Sequence, residues 1–139
     1  MKYCTKQDMI DRVGFDELVE LTDEHHTGQI DDTKLDNAIT DASALIDGYL
    51  DGVTDLPLPA DIPVLLVRLC VDVVRYYLYD DAVTDLVQSR YDSAIKTLTA
   101  ISKRDISLGL TKSGAKPVSD NSVEMVSDGR TFKRDNSFI

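Results

Sequence analysis

The segment from Val64 to Tyr79 constrains the fold of this chain more than any other part of its sequence. It is apolar except for Arg68, Asp72 and Arg75, whose spacing of four and three residues puts them on one narrow stripe of a helix. About 16 residues are too many for a typical strand, and the three charges interrupt the roughly 18 apolar residues that a membrane span needs. Such a helix must be covered on nearly all sides, by its own chain or by another copy, and we expect identical protomers to shield it for each other.

Two short helices are predicted near the start of the chain, between Thr5 and Leu21. Thr5 is a suitable cap for the first of them, and Gly14 separates the two. The segment from Thr22 to Gly28 has no periodicity and ends in glycine, which is typical of a loop.

A longer helix is predicted after this loop, because apolar side chains recur every three or four residues as far as Leu50. Asp31 or Asp32 caps its start. Gly48 lies inside the helix and indicates close approach of a neighbouring backbone, since glycine there costs about 1 kcal/mol relative to alanine. Gly52 marks the stop.

Prolines and capping residues delimit the last two helices. Residues 56–59 alternate leucine with proline and form a rigid connector, because proline lacks a backbone donor. Asp61 and Pro63 then provide the cap and first-turn signals of the helix that continues to Tyr79. The candidate caps of the following helix, which continues to Ile101, are Asp80, Asp81 and Thr84.

These patterns predict an all-α fold, a compact bundle of about four main helices plus the short N-terminal helices. A chain of 139 residues can bury a core without disulfides or metal. Composition changes near Gly109, so we expect a helical core over residues 1–108 and a C-terminal arm over residues 109–139. Alternation around Glu124 and the Asp128–Gly129 pair fit a short β-hairpin, and an extended arm that orders only against a partner fits equally well.

Negative charge is concentrated in the first half of the chain. The formal net charge is -10, and between Val13 and Asp61 thirteen acidic residues stand against one basic residue, Lys34. Because such a surface repels phosphate, we expect no specific binding of nucleic acid through this region. The acidic excess either serves solubility or forms a functional face.

Motifs for catalysis are absent from the sequence: it has no phosphate-binding glycine loop, nucleophile elbow or metal-ligating cluster. We therefore expect no enzyme activity, no cofactor and no metal. His25 and His26 are adjacent in the predicted loop and are expected to be solvated.

Cys4 and Cys70 have no metal or redox spacing, and Cys70 is expected to be a small buried residue whose apolar surroundings raise its pKa. Arg68, Asp72 and Arg75 are expected to form a structural ion-pair ladder, within the subunit or across a subunit boundary.

Several segments distributed along the chain carry a family resemblance. The segments are residues 3–5, 8–14, 17–18 and 21–23, Leu35, Ala38–Ile39, Ala42, Ile46–Asp47 with Tyr49–Leu50, the leucine–proline connector at 56–59, Asp72 with Arg75–Tyr76, Leu78–Tyr79, Arg90–Tyr91, and Gly129–Arg130 with Phe132 and Arg134–Asp135. Together they resemble the small Mu-like bacteriophage and prophage protein family, a domain of unknown function. That family is similar to the helical head–tail connector, or adaptor, proteins of long-tailed phages.

This resemblance implies a structural protein of the virion neck, assembled in the bacterial host cytoplasm. It implies a homo-oligomeric ring of about twelve copies that matches the portal. The ring's partners would be the portal protein and a tail-side neck protein, and DNA would pass through its lumen without specific binding. No membrane is involved. The residues expected in helix packing or subunit contacts are Arg68, Asp72, Arg75, Tyr76 and Tyr79, and those expected in arm contacts are Phe132, Phe138 and Ile139.

Two other functions compete with this interpretation. The acidic region between Val13 and Asp61 also fits a DNA mimic that inhibits a host DNA-binding protein. A metal-dependent hydrolase would require His25 or His26 to lie near several aspartates.

Overall fold

The computed structural model describes residues 1–58, 61–80 and 82–108, and these residues form five α-helices. The helices are α1 (Lys6–Arg12), α2 (Phe15–Thr22), α3 (Asp32–Leu50), α4 (Val64–Tyr79) and α5 (Asp85–Ser102). The prediction of an all-α bundle is confirmed, and within these ranges there is no strand. Three of the described helices are long, where about four main helices were expected. The predicted arm and its hairpin alternative lie outside the described residues.

Side-chain caps start three of the helices at residues that the sequence indicates. Thr5 and Asp8 form a capping box at α1, in which each side chain accepts a hydrogen bond from the other residue's backbone N–H. Asp31 accepts two backbone N–H bonds at the start of α3, at 3.0 and 3.2 Å, and Thr84 accepts one at the start of α5. α4 begins after Pro63 without a side-chain cap, so neither residue predicted to start it provides one.

Two glycines that the sequence analysis singles out have different roles. Gly14 separates α1 from α2 with a φ of +108°, a conformation that glycine adopts without the cost of a Cβ clash. Gly48 was predicted to mark close approach of a neighbouring backbone, and this prediction is wrong. It is exposed on α3, and a Cβ added there would meet no atom within 4 Å.

Helix α4 lies at the centre of the bundle and packs against each of the other four described helices. Half of its residues are buried: Leu66, Leu69, Cys70, Val71, Asp72, Val73, Val74 and Leu78. The expectation that protomers must shield this helix for each other is therefore wrong, because its own chain covers it. Its main exposed apolar residue is Val64 in the first turn, which is 71% exposed. None of the helices that the structure describes is long and apolar enough to cross a membrane.

The N-terminal segment and the two short helices supply the cover that the sequence analysis underestimates. Tyr3, Met9 and Leu18 are completely buried in the core. The backbone N–H of Tyr3 donates to Ser43 Oγ at 3.1 Å, and the Tyr3 hydroxyl donates to the carboxylate of Asp47. Burial, reinforced by Asp47, raises the pKa of Tyr3. The first residues of the chain are thereby attached to α3.

The two cysteines lie together, although 66 residues separate them in the sequence. Both thiols are free and buried, with Cys4 Sγ 3.2 Å from Cys70 Sγ, so the prediction that Cys70 is buried is confirmed. The hydrogen bond between them and burial raise the pKa of Cys4. Hydrogen bonds from Cys4 and Ser43 lower the pKa of Cys70, contrary to expectation, because polar groups reach a site that the sequence presents as apolar.

Two alanine substitutions in α4, one at a buried residue and one at an exposed residue, test whether a single chain covers this helix. Leu69 is 1% exposed, so we expect Leu69→Ala to lower the free energy of unfolding by about 2–5 kcal/mol. Val64→Ala should change it by less than about 0.5 kcal/mol, because Val64 is exposed. Urea unfolding of the full chain at low micromolar concentration measures both. A loss at Val64 as large as that at Leu69 would instead indicate cover by a second copy.

Candidate functional site

A pocket of about 200 Å³ lined by arginines lies where α1, α4 and α5 meet. Arg12 comes from the end of α1, Arg68 and Arg75 come from α4, and Arg90 comes from α5. Asp72 of α4 lies among them, and Val13 and Val71 complete the lining. We call the four arginines with Asp72 the arginine pocket.

Helix geometry explains why α4 contributes three of these side chains. Positions four and seven residues beyond Arg68 return to within roughly 40° of it around the helix axis. Arg12 reaches the site because α1 ends there and Gly14 turns the chain into α2. Arg90 lies in the second turn of α5, which packs against α4. The stripe on α4 is readable from the sequence, but the contributions of α1 and α5 depend on how the helices pack.

Asp72 is a buried carboxylate at the centre of the pocket and is 8% exposed. Burial raises its pKa, while the positive charges of the four arginines, with Arg90 first, oppose that shift. Arg68 forms the first half of the predicted ladder with Asp72, since its Nη1 lies 4.0 Å from Asp72 Oδ2. Removing a carboxylate from water costs free energy, and the surrounding cations offset part of this cost for Asp72.

The second half of the predicted ladder is wrong, because Arg75 pairs with Glu17 of α2 rather than with Asp72. Arg75 Nε and Nη2 donate to the two carboxylate oxygens of Glu17 at 2.7 and 3.0 Å. This bidentate interaction raises the pKa of Arg75 and links α4 to α2. Tyr79 interacts with both Glu17 and Arg75 and adds to the same cluster. No pattern in the sequence marks Glu17 as a site residue.

Tyr76 lies beside the pocket and packs within the subunit. Its ring stacks on that of Tyr91 of α5, with centroids 3.8 Å apart and planes 15° from parallel. Tyr77 lies at the edge of this pair, 6.5 Å from the centroid of Tyr91. These rings join α4 to α5, so Tyr76 has a packing role inside one chain.

The charge of the arginine pocket is opposite in sign to that of the chain. Four guanidinium groups face two carboxylates, those of Asp72 and Glu17, which leaves a local excess of positive charge on a chain of net charge -10. Guanidinium groups bind carboxylates and phosphates through paired hydrogen bonds. The arrangement is therefore suited to binding an anionic group.

The other predicted site residues lie elsewhere. His25 and His26 are exposed in the loop after α2, which Asp23 orders by accepting bonds from the backbone N–H groups of Thr27 and Gly28 at 2.9 and 2.7 Å. Residues 1–58, 61–80 and 82–108 contain no group of three or more residues that could hold a metal. The predicted arm contacts Phe132, Phe138 and Ile139 lie outside the described residues.

The Glu17–Arg75 ion pair should contribute more to stability than an exposed ion pair with the same distance between nitrogen and oxygen. Its side chains are 25% and 17% exposed, so we expect a double-mutant cycle with alanine to give a coupling of about 1–3 kcal/mol. The control is Lys6–Asp32, also 2.7 Å apart but 49% and 73% exposed, with an expected coupling below about 1 kcal/mol. Equal couplings in urea unfolding would contradict a structural role for the Arg75 pair.

Ionised Asp72 should oppose folding, because its pKa is higher in the folded chain than in the unfolded one. This cost is present in full above the raised pKa and is lost as the pH falls from that pKa to the ordinary pKa of aspartate. An NMR titration of the Asp72 carboxyl should give a pKa above the usual value for aspartate. Arg90→Gln should raise it further, whereas Arg104→Gln, which alters a guanidinium bound to the carbonyl of Gly52, should not. A pKa for Asp72 below the usual value would refute this account.

Comparisons with known proteins identify the family. The family model described as Bacteriophage Mu, Gp36 matches residues 3–127. The Mu-like prophage FluMu protein gp36 of Haemophilus influenzae is 31% identical over 135 residues, which cover 97% of this chain and 95% of that protein. Gene product J of Escherichia phage Mu is 32% identical over 136 residues, which cover 96% of each chain. The resemblance noted in the sequence is thereby confirmed, and the chain belongs to the bacteriophage Mu Gp36 family.

Proposed function

We propose that this chain is a structural protein of the phage neck, a head–tail connector that forms a ring between portal and tail. The observation that supports the proposal is the match to Mu-type phage proteins over almost the whole chain. The all-α fold is in keeping with the resemblance to helical connectors. In this role the protein acts through its surfaces, by joining its neighbours in the particle.

The burial of α4 changes the physical reason for assembly. Since one chain covers its own central helix, copies must associate through surface groups. The described surface offers positive charge at the arginine pocket and scattered apolar side chains such as Phe15, Val64 and Leu86, which are 44%, 71% and 56% exposed. Charged contacts of this kind weaken as salt is added. A ring held in this way is assembled from subunits that fold first and associate afterwards.

The acidic region between Val13 and Asp61 fits the same role. The exposed carboxylates of this region would make a lumen that repels the phosphates of passing DNA, so the nucleic acid would move through without adhering. The second candidate function, a DNA mimic, draws on the same charge. The arginine pocket favours the connector, because a cluster of four guanidinium groups interrupts the uniform negative charge that a DNA mimic would present.

Deleting the gene from the phage that encodes this chain tests the proposal. Without the protein we expect DNA-filled heads and free tails that do not join, and supply of the protein from a plasmid should restore joined particles. Electron microscopy and plaque counts measure both effects. In purified wild-type particles, antibody labelling should locate the protein at the neck. Normal particles from the deletion strain would refute the proposal, and a protein absent from particles that binds a host DNA-binding protein would favour the mimic.

A further inference from the structure

The only two cysteines of the chain lie side by side within the bundle. Cys4 belongs to the segment before α1, Cys70 lies in the middle of α4, and Cys4 Sγ donates a hydrogen bond to Cys70 Sγ at 3.2 Å. Both thiols are free, and the two residues are 3% and 0% exposed. Two thiols enclosed in this way are placed to react with each other rather than with a cysteine of another copy.

The distance between the two sulfurs is small enough for a covalent bond to form with little movement. A disulfide holds its sulfurs about 2.0 Å apart, so the sulfurs of Cys4 and Cys70 need to approach by roughly 1 Å. Residues 1–5 form no helix, so the backbone at Cys4 can shift without breaking helical hydrogen bonds. Cys70 can keep its place in α4.

A pocket of about 550 Å³ gives one of the two sulfurs a route to solvent. Cys4 is among the residues that line it, together with Leu35 and Ile39 of α3. Cys70 has no exposed surface. A small molecule that enters the pocket therefore meets Cys4 first.

Hydrogen bonding gives the two thiols different roles. Ser43 Oγ lies 4.0 Å from Cys70 Sγ, and hydrogen bonds from Cys4 and Ser43 lower the pKa of Cys70. The first proton therefore leaves Cys70, while the proton of Cys4 lies in the hydrogen bond between the sulfurs. Transfer of that proton to Cys70 places the thiolate, which is the reactive form of cysteine, on Cys4 at the pocket.

We propose that Cys4 and Cys70 form a redox site, at which a small peroxide converts the two thiols into a disulfide within one chain. The bond joins the segment before α1 to the central helix. It closes a long loop, because 66 residues separate the two positions. Closing a loop of this kind stabilises a fold mainly by restricting the unfolded chain.

The reaction balances with hydrogen peroxide as the oxidant. The Cys4 thiolate attacks one oxygen, the O–O bond breaks, hydroxide leaves, and Cys4 becomes a sulfenic acid. The Cys70 sulfur then attacks the Cys4 sulfur, the S–O bond breaks, and the oxygen leaves as water with the Cys70 proton. The hydroxide takes up the proton that the pair released first. The two thiols lose two electrons in all, and the peroxide is reduced to two molecules of water.

The proposed neck role would set the time at which the bond forms. A bacterial cytoplasm keeps thiols reduced, whereas a released particle meets oxidising conditions. The protein would be made with free thiols and would acquire its internal disulfide after release. Only this timing rests on the proposed function, because the reaction itself depends on the fold of one chain.

Oxidation of the purified full-length chain tests the redox site. After treatment with hydrogen peroxide, the intact mass should fall by about 2 Da as two hydrogen atoms are lost, and no thiol should remain to be alkylated in denaturant. The oxidised chain should stay monomeric on a non-reducing gel. Its Tm should rise by about 5–15 °C, and dithiothreitol should reverse both the mass change and the rise.

Matched serine variants test which cysteine reacts first. In Cys70→Ser the oxidation should stop at the sulfenic acid of Cys4, which dimedone traps. In Cys4→Ser the remaining thiol has no exposed surface, so trapping should be at least tenfold slower. Circular dichroism checks that both variants are folded. If either is unfolded, dimedone added during oxidation of the wild type, followed by peptide mapping, shows which cysteine is trapped.

Several outcomes would overturn the inference. These are a wild type that keeps both thiols in peroxide, a disulfide that forms only in urea, cross-linked dimers, and faster trapping at Cys70 than at Cys4. A disulfide that leaves the Tm unchanged would contradict its stabilising role. Failure of the redox site and failure of the neck function are distinguishable. Particles whose neck protein keeps free thiols after peroxide treatment would refute the first alone, and a chain that oxidises as expected but is absent from particles would refute the second alone.

Discussion

The structure depends on the enclosure of helix α4 by the four other helices. An apolar helix with one charged stripe has two requirements: its large apolar surface must be removed from water, and its charges must keep partners or solvent. Burial of Leu66, Leu69 and Val73 against the rest of the bundle meets the first requirement. The charged stripe faces the pocket that lies between α4 and the neighbouring helices α1 and α5. The candidate site is therefore a direct consequence of how the core is built.

The same arrangement explains why the site is made almost entirely of arginine and carboxylate groups. Asp72 is buried because α4 is central, and its carboxylate carries a desolvation cost that several nearby cations offset in part. Glu17 fixes one of those cations and at the same time fastens α2 to α4. Structural support and surface charge thus come from one cluster. A change in the cluster affects both the packing of α2 against α4 and the charge of the protein surface at the pocket.

Self-sufficient burial also alters how assembly of this protein is understood. A subunit that needed a neighbour to cover α4 would be stable only as an oligomer, whereas a subunit that covers it alone folds first and associates later. The proposed association through charge would be weak for each isolated copy and would grow when many copies are held at one site. In the proposed neck role, a portal would gather the copies, and subunits of this kind suit that role.

The sequence alone determined the local features, because they depend on residues close together in the chain. The cap at Thr5, the break at Gly14 and the charged stripe of α4 follow from spacing of a few residues, and the caps at Asp31 and Thr84 are among the few candidates that the sequence offered. The family resemblance also named Arg12, Glu17 and Arg90, although nothing in the sequence showed that Arg12 and Arg90 lie near Asp72 or that Glu17 pairs with Arg75.

Only the tertiary structure decided the contacts between distant segments. The pairing of Glu17 with Arg75, the meeting of Cys4 with Cys70 and the cover of α4 by the N-terminal residues each join parts of the chain that lie far apart in sequence. Periodicity tells which face of a helix is apolar, but not which element covers it. That choice is made by the packing of all the helices at once, and it is the reason that a helix expected to need a second copy is enclosed by its own chain.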